Sequence, residues 1–171
     1  NPSSPYSSSK ASSDFLVSAW SKTYDLPTIV TNCSNNYGPY QFPEKLIPLT
    51  INNAISNRKI LVYGNGLQKR DWIHVDDHIS AIYTLMFKGK LGESYNIGTG
   101  REISNIVVIK KICEYINKKN LIKKDCFDLI NFVKDRPGHD FRYALNTNKI
   151  NKLGWKSTYD FEKSMKDTIS W

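Results

Sequence analysis

A chain of 171 residues, 40% hydrophobic and 23% charged, has the size and make-up of one soluble globular domain or of a piece of a larger one. No apolar run approaches the roughly 20 residues that a membrane helix needs, and the polar opening lacks the basic-then-apolar layout of a signal peptide. A cytoplasmic location without a membrane partner is therefore expected. The net charge of +8 arises from 24 Lys and Arg against 16 Asp and Glu. Nineteen of those 24 are lysines, many of them within "KKICEYINKKNLIKK" on the polar face of an amphipathic helix, so a solvated face is expected and no nucleic-acid partner.

Strand-like and helix-like segments alternate from end to end, the pattern of an α/β protein. A helix is expected over 8–24, with Pro5 suited to its first turn, and Leu26-Pro27 ends it before the β-rich "TIVTNCS". "NNYGPYQFP" reads as a loop. A helix over 44–57 follows, then "ILVYG", the turn "GNG" and "KRDWIHV", which together read as a hairpin or paired short strands. Asp76 or Asp77 caps a helix over 77–87, where Ile79, Ile82, Tyr83 and Met86 recur at three-and-four spacing until Gly89 stops it. "SYNIG" is the next strand, and Ser104 or Asn105 opens the lysine-faced helix. A looser segment leads to "VKDRPGHD". Two short helices close the chain, with a cap at Thr158 or Asp160.

Cys33, Cys113 and Cys126 are odd in number and scattered, which fits reduced thiols better than a disulfide framework. No pair has Cys-x-x-Cys spacing. His74, Asp76, Asp77 and His78 are ligand types in close succession, yet His74 falls on a strand end and His78 inside the next helix, with no third ligand evident; no metal is expected.

Tyr6 and Lys10 lie four apart on the first helix, so both can address one spot about 6 Å across. A phenol is a poor base at neutral pH, and a neighbouring ammonium favours its ionised form. The surrounding "YSSSKASSD" keeps side chains small, which permits close approach by a ligand. Arg70 and Arg136 could make paired hydrogen bonds to phosphate oxygens, and Tyr63 offers a flat apolar face. On the residues alone the structural reading is favoured for both arginines, Arg70 paired with a nearby acid and Arg136 clamped to Asp135 or Asp140.

The motifs "YSSSKASSD", "LPTIVTNCSNNYGPYQFPEKLIP", "VYGNGLQKRDWIHVDDH", "ESYNIG", "DRPGHDFRYA" and "LGW" cover nearly the whole chain. In this order they resemble the extended short-chain dehydrogenase/reductase family, whose hallmark is Tyr-x-x-x-Lys, and within it the dTDP-glucose 4,6-dehydratases. The resemblance implies an α/β, incomplete Rossmann-like NAD(P)-binding fold with a smaller α/β substrate-binding domain. Residues 1–44 would be the remnant of the NAD-binding domain and 45–171 mainly the sugar-nucleotide-binding domain.

By the same resemblance Tyr6 is the catalytic base, Lys10 holds the ribose of NAD, and Asn36 also touches the cofactor. Asn35, Lys45, Leu46, Tyr63, Arg70, Asn105, Arg136 and His139 would hold dTDP-glucose or a related nucleotide sugar. A homodimer of the full-length protein, formed through the helix of Tyr6 and Lys10, is implied too. The chain contains no Gly-x-Gly-x-x-Gly or Gly-x-x-Gly-x-x-Gly and no Thr-Asp-Glu segment, so the resemblance implies the carboxyl-terminal portion of a longer enzyme, inactive in isolation. A related epimerase or decarboxylase, or a non-catalytic sugar-nucleotide-binding fragment, are the alternatives.

Overall fold

The computed structural model describes residues 4–171, Tyr143 by its backbone alone. The first helix, α1 (Pro5–Tyr24), starts three residues ahead of the expected position because Ser4 and Ser7 form a reciprocal capping box. Ser4 Oγ accepts from the Ser7 N–H at 3.2 Å, and Ser7 Oγ accepts from the Ser4 N–H at 2.9 Å. Serines are weak helix formers, and here Ser9, Ser12 and Ser13 turn their hydroxyls back onto the carbonyls of Tyr6, Ser8 and Ser9. No residue of α1 is buried, so its surface remains open along its length.

Strand β1 (Val30–Cys33) leads directly into β2 (Asn35–Tyr37), where a loop was expected. The Asn-rich composition favours turns, but β2 finds a parallel partner in β4 (Lys69–His74), with Asn36 opposite Ile73. Tertiary pairing overrides the local preference. After α2 (Leu46–Ile55), the strand β3 (Ile60–Tyr63) does not form a hairpin with β4. Gly64 and Gly66, at φ +60° and +70°, turn the chain out of one sheet and into another.

Helix α3 (Val75–Lys88) is capped by His74, whose ring nitrogen accepts from the Asp76 N–H at 3.3 Å, rather than by Asp76 or Asp77. The apolar repeat Ile79, Ile82, Tyr83 and Met86 is exposed; the buried stripe is Asp77, Ala81 and Leu85. The period was legible and the face was not, because the buried position 77 carries a carboxylate.

Strand β5 (Ser94–Ile97) pairs in parallel with β1, and β6 (Glu102–Ser104) pairs antiparallel with β4. Helix α4 (Asn105–Lys118) follows, then a 3-10 turn (Cys126–Leu129) that feeds β7 (Ile130–Val133), the parallel partner of β3. Strand β8 (Arg142–Tyr143) lies parallel to β4. Two helices end the chain: α5 (Asn148–Asn151) and α6 (Phe161–Ser170), the latter capped by Asp160.

Two apolar clusters hold these parts together. The larger joins α2, β3, α4 and α6 around Ile47, Val62, Ile109, Ile112 and Met165; the smaller joins α3, β4 and β5 around Ile73, Leu85, Ile97 and Trp155. Burying each such side chain is worth about 1.5–3 kcal/mol, which makes α4, with five buried residues, a principal anchor of the fold.

A polar tie centred on buried Asp77 adds to them. Asp77 accepts from the Thr158 N–H and O–H and from the Tyr159 N–H, all between 2.9 and 3.1 Å, and so fixes the approach to α6.

Candidate functional site

A cleft of about 490 Å³ opens where the ends of β3 and β7, the start of α2 and the start of α4 converge. Its walls include every one of the expected substrate residues: Asn35, Lys45, Leu46, Tyr63, Arg70, Asn105, Arg136 and His139. These positions span about a hundred residues of sequence, and three topological facts gather them. Tyr63 and Val133 are register partners at the ends of β3 and β7, so the segment carrying Arg136 leaves the sheet beside Tyr63. Lys45 is the N-cap of α2, without a side-chain cap bond, and Leu46 is its first residue, so the positive end of that helix faces the cleft. Asn105 begins α4, its N–H held by the carbonyl of Gln68 at 3.1 Å.

The guanidinium of Arg136 stands over the ring of Tyr63 at 5.0 Å, with one nitrogen 3.3 Å from Nε2 of His139. Nδ1 of His139 lies 2.7 Å from Asp135, whose other oxygen accepts from Gln68 at 2.7 Å. Above all it is the hydrogen bond from His139 that holds the Asp135 carboxyl below the usual carboxylate range, helped by the Arg136 N–H and Gln68. Asp135 therefore binds the imidazole of His139 and the backbone N–H of Arg136, while the guanidinium is left facing the ring and the cleft.

Arg70 is 8% exposed and bonds differently. Its guanidinium donates to the carbonyls of Lys69 and Asp140, at 2.8 and 2.7 Å, so it ties the 140–141 segment to β4 while lining the cleft.

Adjacent on β2, Asn35 and Asn36 serve opposite sides, as the strand pleat requires. Asn35 lines the cleft; Asn36 donates to the Ser34 carbonyl at 3.2 Å and places its own Oδ1 2.9 Å from Nδ1 of His78 on α3. Tyr6 and Lys10 stand outside the cleft on α1, where Tyr6 is 74% exposed.

Sequence reasoning passed over Gln68, Trp72 and Glu44, which also line the cleft, and gave Asp135 only a clamp role toward the Arg136 side chain. Nothing local could have singled out Gln68, whose main partner lies 67 residues away.

A model of the family described as GDP-mannose 4,6 dehydratase matches residues 1–168. The dTDP-glucose 4,6-dehydratase of Shigella flexneri is 54% identical over 171 residues, covering 99% of this chain and 47% of that protein. That of Neisseria meningitidis is 55% identical over 175 residues, covering 99% and 49%. The chain spans about half the length of the curated relatives it matches. Among solved structures, dTDP-glucose 4,6-dehydratase from Bacillus anthracis in complex with NAD is 50% identical with a TM-score of 0.88, covering all of this chain and 52% of that one. The Streptomyces venezuelae enzyme, also solved with NAD, is 38% identical with a TM-score of 0.93, covering 100% and 51%. The match along residues 1–168, together with a mixed α/β fold of parallel pairs like that of these neighbours, shows that the chain belongs to the GDP-mannose 4,6 dehydratase family.

Proposed function

We propose that this chain is the nucleotide-sugar-binding and catalytic-base portion of an NAD-dependent dTDP-glucose 4,6-dehydratase. The observation that carries the reading is the single cleft that collects Lys45, Tyr63, Asn105, Arg136 and His139. Its chemistry suits a nucleoside diphosphate: Lys45 and Arg136 supply positive charge, a planar guanidinium can bind phosphate oxygens in pairs, and Tyr63 offers a ring face. Residues 45–171 then carry most of the nucleotide-sugar contacts and 1–44 the cofactor side. Sheet pairing of β1 with β5 and of β2 with β4 couples the two.

The residues present fit one side of a dinucleotide. Tyr6 and Lys10 project from an open helix whose neighbouring serines fold their hydroxyls inward, leaving room for close approach. Bound NAD would accept a hydride from the sugar C4 and return it to C6 after loss of water, yielding dTDP-4-keto-6-deoxy-glucose. In that reaction the Tyr6 phenolate takes the proton of the 4-hydroxyl. Lys10 favours the phenolate and binds the ribose, and Asn36, whose side chain is held by His78, is the further residue assigned to the cofactor. The groups that expel water belong to the rest of the polypeptide. Exposed Phe15, Leu16 and Trp20 on α1 supply an apolar surface for dimerisation of the full-length protein, which sedimentation would measure.

The test is turnover of dTDP-glucose with NAD by the full-length protein, followed through the alkaline absorbance of the 4-keto product. This chain alone should give none. Inversion at C4 with the 6-hydroxyl retained would instead mark an epimerase, and failure to bind dTDP would overturn the reading of the cleft.

A further inference from the structure

Gln68 lines the cleft from the turn between β3 and β4. It is 3% exposed, and its amide nitrogen donates both to Oδ2 of Asp135 at 2.7 Å and to the carbonyl of Tyr63 at 3.3 Å. Its backbone carbonyl accepts the N–H of Asn105. One residue thus touches the strand end that carries Tyr63, the helix start that carries Asn105, and the acid that holds His139.

The line of bonds continues outward. Oδ1 of Asp135 accepts from Nδ1 of His139 and from the Arg136 N–H, at 2.7 and 2.8 Å. His139 meets the carboxylate through Nδ1, and its other ring nitrogen, Nε2, lies 3.3 Å from Arg136 Nη2. The turn between β3 and β4 is closed tightly on this contact: a Cβ at Gly64 would meet Asp135 Oδ2 at 3.0 Å and Gln68 Nε2 at 3.2 Å. Oε1 of Gln68 is buried without a partner, so it is the donor half of the amide that the arrangement uses.

We propose that Gln68 is a positioning residue for nucleotide binding, acting through Asp135 and His139 to hold the Arg136 guanidinium over Tyr63 before the diphosphate arrives. The inference rests on the nucleotide-binding reading of the cleft. An arginine already held in place spares the ordering cost of capturing a phosphate; a free one does not. Neutral Gln68 suits this task because it donates to Asp135 without adding charge beside the diphosphate.

The experiment titrates dTDP into the full-length protein and its variants by calorimetry, with thermal melts alongside. Gln68→Leu should weaken dTDP about tenfold and raise KM for dTDP-glucose more than it lowers kcat. Gln68→Glu should weaken it further, since two carboxylates then face each other. Combining Gln68→Glu with Asp135→Asn restores a donor and an acceptor between the two positions and should bring affinity back to within about threefold. In an Arg136→Ala background, Gln68→Leu should change affinity less than about twofold, because the residue through which it acts is gone.

Two results would overturn the proposal: unchanged dTDP affinity in Gln68→Leu, or a tenfold loss that persists without Arg136. Should Gln68→Leu fail to fold, the paired exchange decides the matter, and no recovery over Gln68→Glu would count against it. A wild-type protein that does not bind dTDP would overturn the cleft reading itself. Equal binding by wild type and Gln68→Leu would overturn this proposal alone.

Discussion

Arg136 lies with its guanidinium 5.0 Å from the centre of the Tyr63 ring, and the two meet because β3 ends at Tyr63 beside its parallel partner β7, whose exit segment carries Arg136. If this pair binds the diphosphate end of a nucleotide, Arg136→Ala should weaken dTDP about 10- to 100-fold by calorimetry, and the salt dependence of binding should flatten. Arg136→Lys should recover only part of the loss, because an ammonium lacks the planar fork that meets two phosphate oxygens and stacks on the ring. Full affinity in Arg136→Lys would mean that charge alone matters at this position.

Stability should depend on a residue outside the cleft. Asp77 is buried on α3, and its carboxylate satisfies the N–H groups of Thr158 and Tyr159 together with the Thr158 hydroxyl. Asp77→Ala strands those donors and should cost about 3 kcal/mol, seen as a lower urea midpoint with an unchanged slope. Because Asp77 does not line the cleft, dTDP affinity of the folded fraction should stay near wild type.

The histidines of the β4–α3 junction predict a pH profile. Burial lowers both His74 and His78 below the ordinary value of 6.5, in His74 against the pull of the Asp76 and Asp77 carboxylates. A lowered folded value means the unfolded chain binds protons that the folded chain refuses, so stability rises with pH across the interval between the two. That contribution is whole above about pH 6.5 and is lost as pH falls through the folded values. Thermal midpoints at pH 7.5, 6.5 and 5.5 should therefore decline in that order, and His78→Gln should flatten the decline. An unchanged midpoint down to pH 5.5 would contradict the assignment.

How far the sequence spoke for itself differs from element to element. Helix α4 was legible because its apolar period and its lysines agree, whereas the cleft residues were reached only through the family resemblance, whose motifs contain Lys45, Arg136 and His139. Pairings between remote segments were not. "NNY" became β2 only because β4 offered it a parallel ladder, and β3 chose β7, some seventy residues on, over the β4 that follows it. The buried face of α3 was not legible for a related reason: Ile79, Ile82, Tyr83 and Met86 are exposed, while a carboxylate at 77 is buried because Thr158 and Tyr159 come to meet it. Such partners are set by tertiary placement, which local periodicity does not encode.

The three thiols should sort by access. Cys33 is exposed, whereas Cys113 and Cys126 are fully buried with their sulfurs 2.8 Å apart, and burial pushes both of those thiols up. Ellman's reagent should titrate one thiol in the native protein and all three in denaturant. Two or more fast-reacting thiols under native conditions would show that the packing of α4 on the 126–129 turn opens readily.

Tyr6 is the sharpest test of the chemistry, because its position offers little else for it to do. It is 74% exposed on a helix with no buried residue, so Tyr6→Phe removes one hydroxyl without disturbing a core. A residue of purely structural use would tolerate that change. As the base for the sugar 4-hydroxyl, its loss should lower kcat of the full-length protein by about 100-fold or more while the affinity for dTDP, bound in a cleft that Tyr6 does not line, stays close to wild type. Lys10→Met should lower kcat as well and also weaken NAD, since that side chain serves both the phenol and the ribose. A Tyr6→Phe enzyme with near-normal kcat would remove Tyr6 from the mechanism.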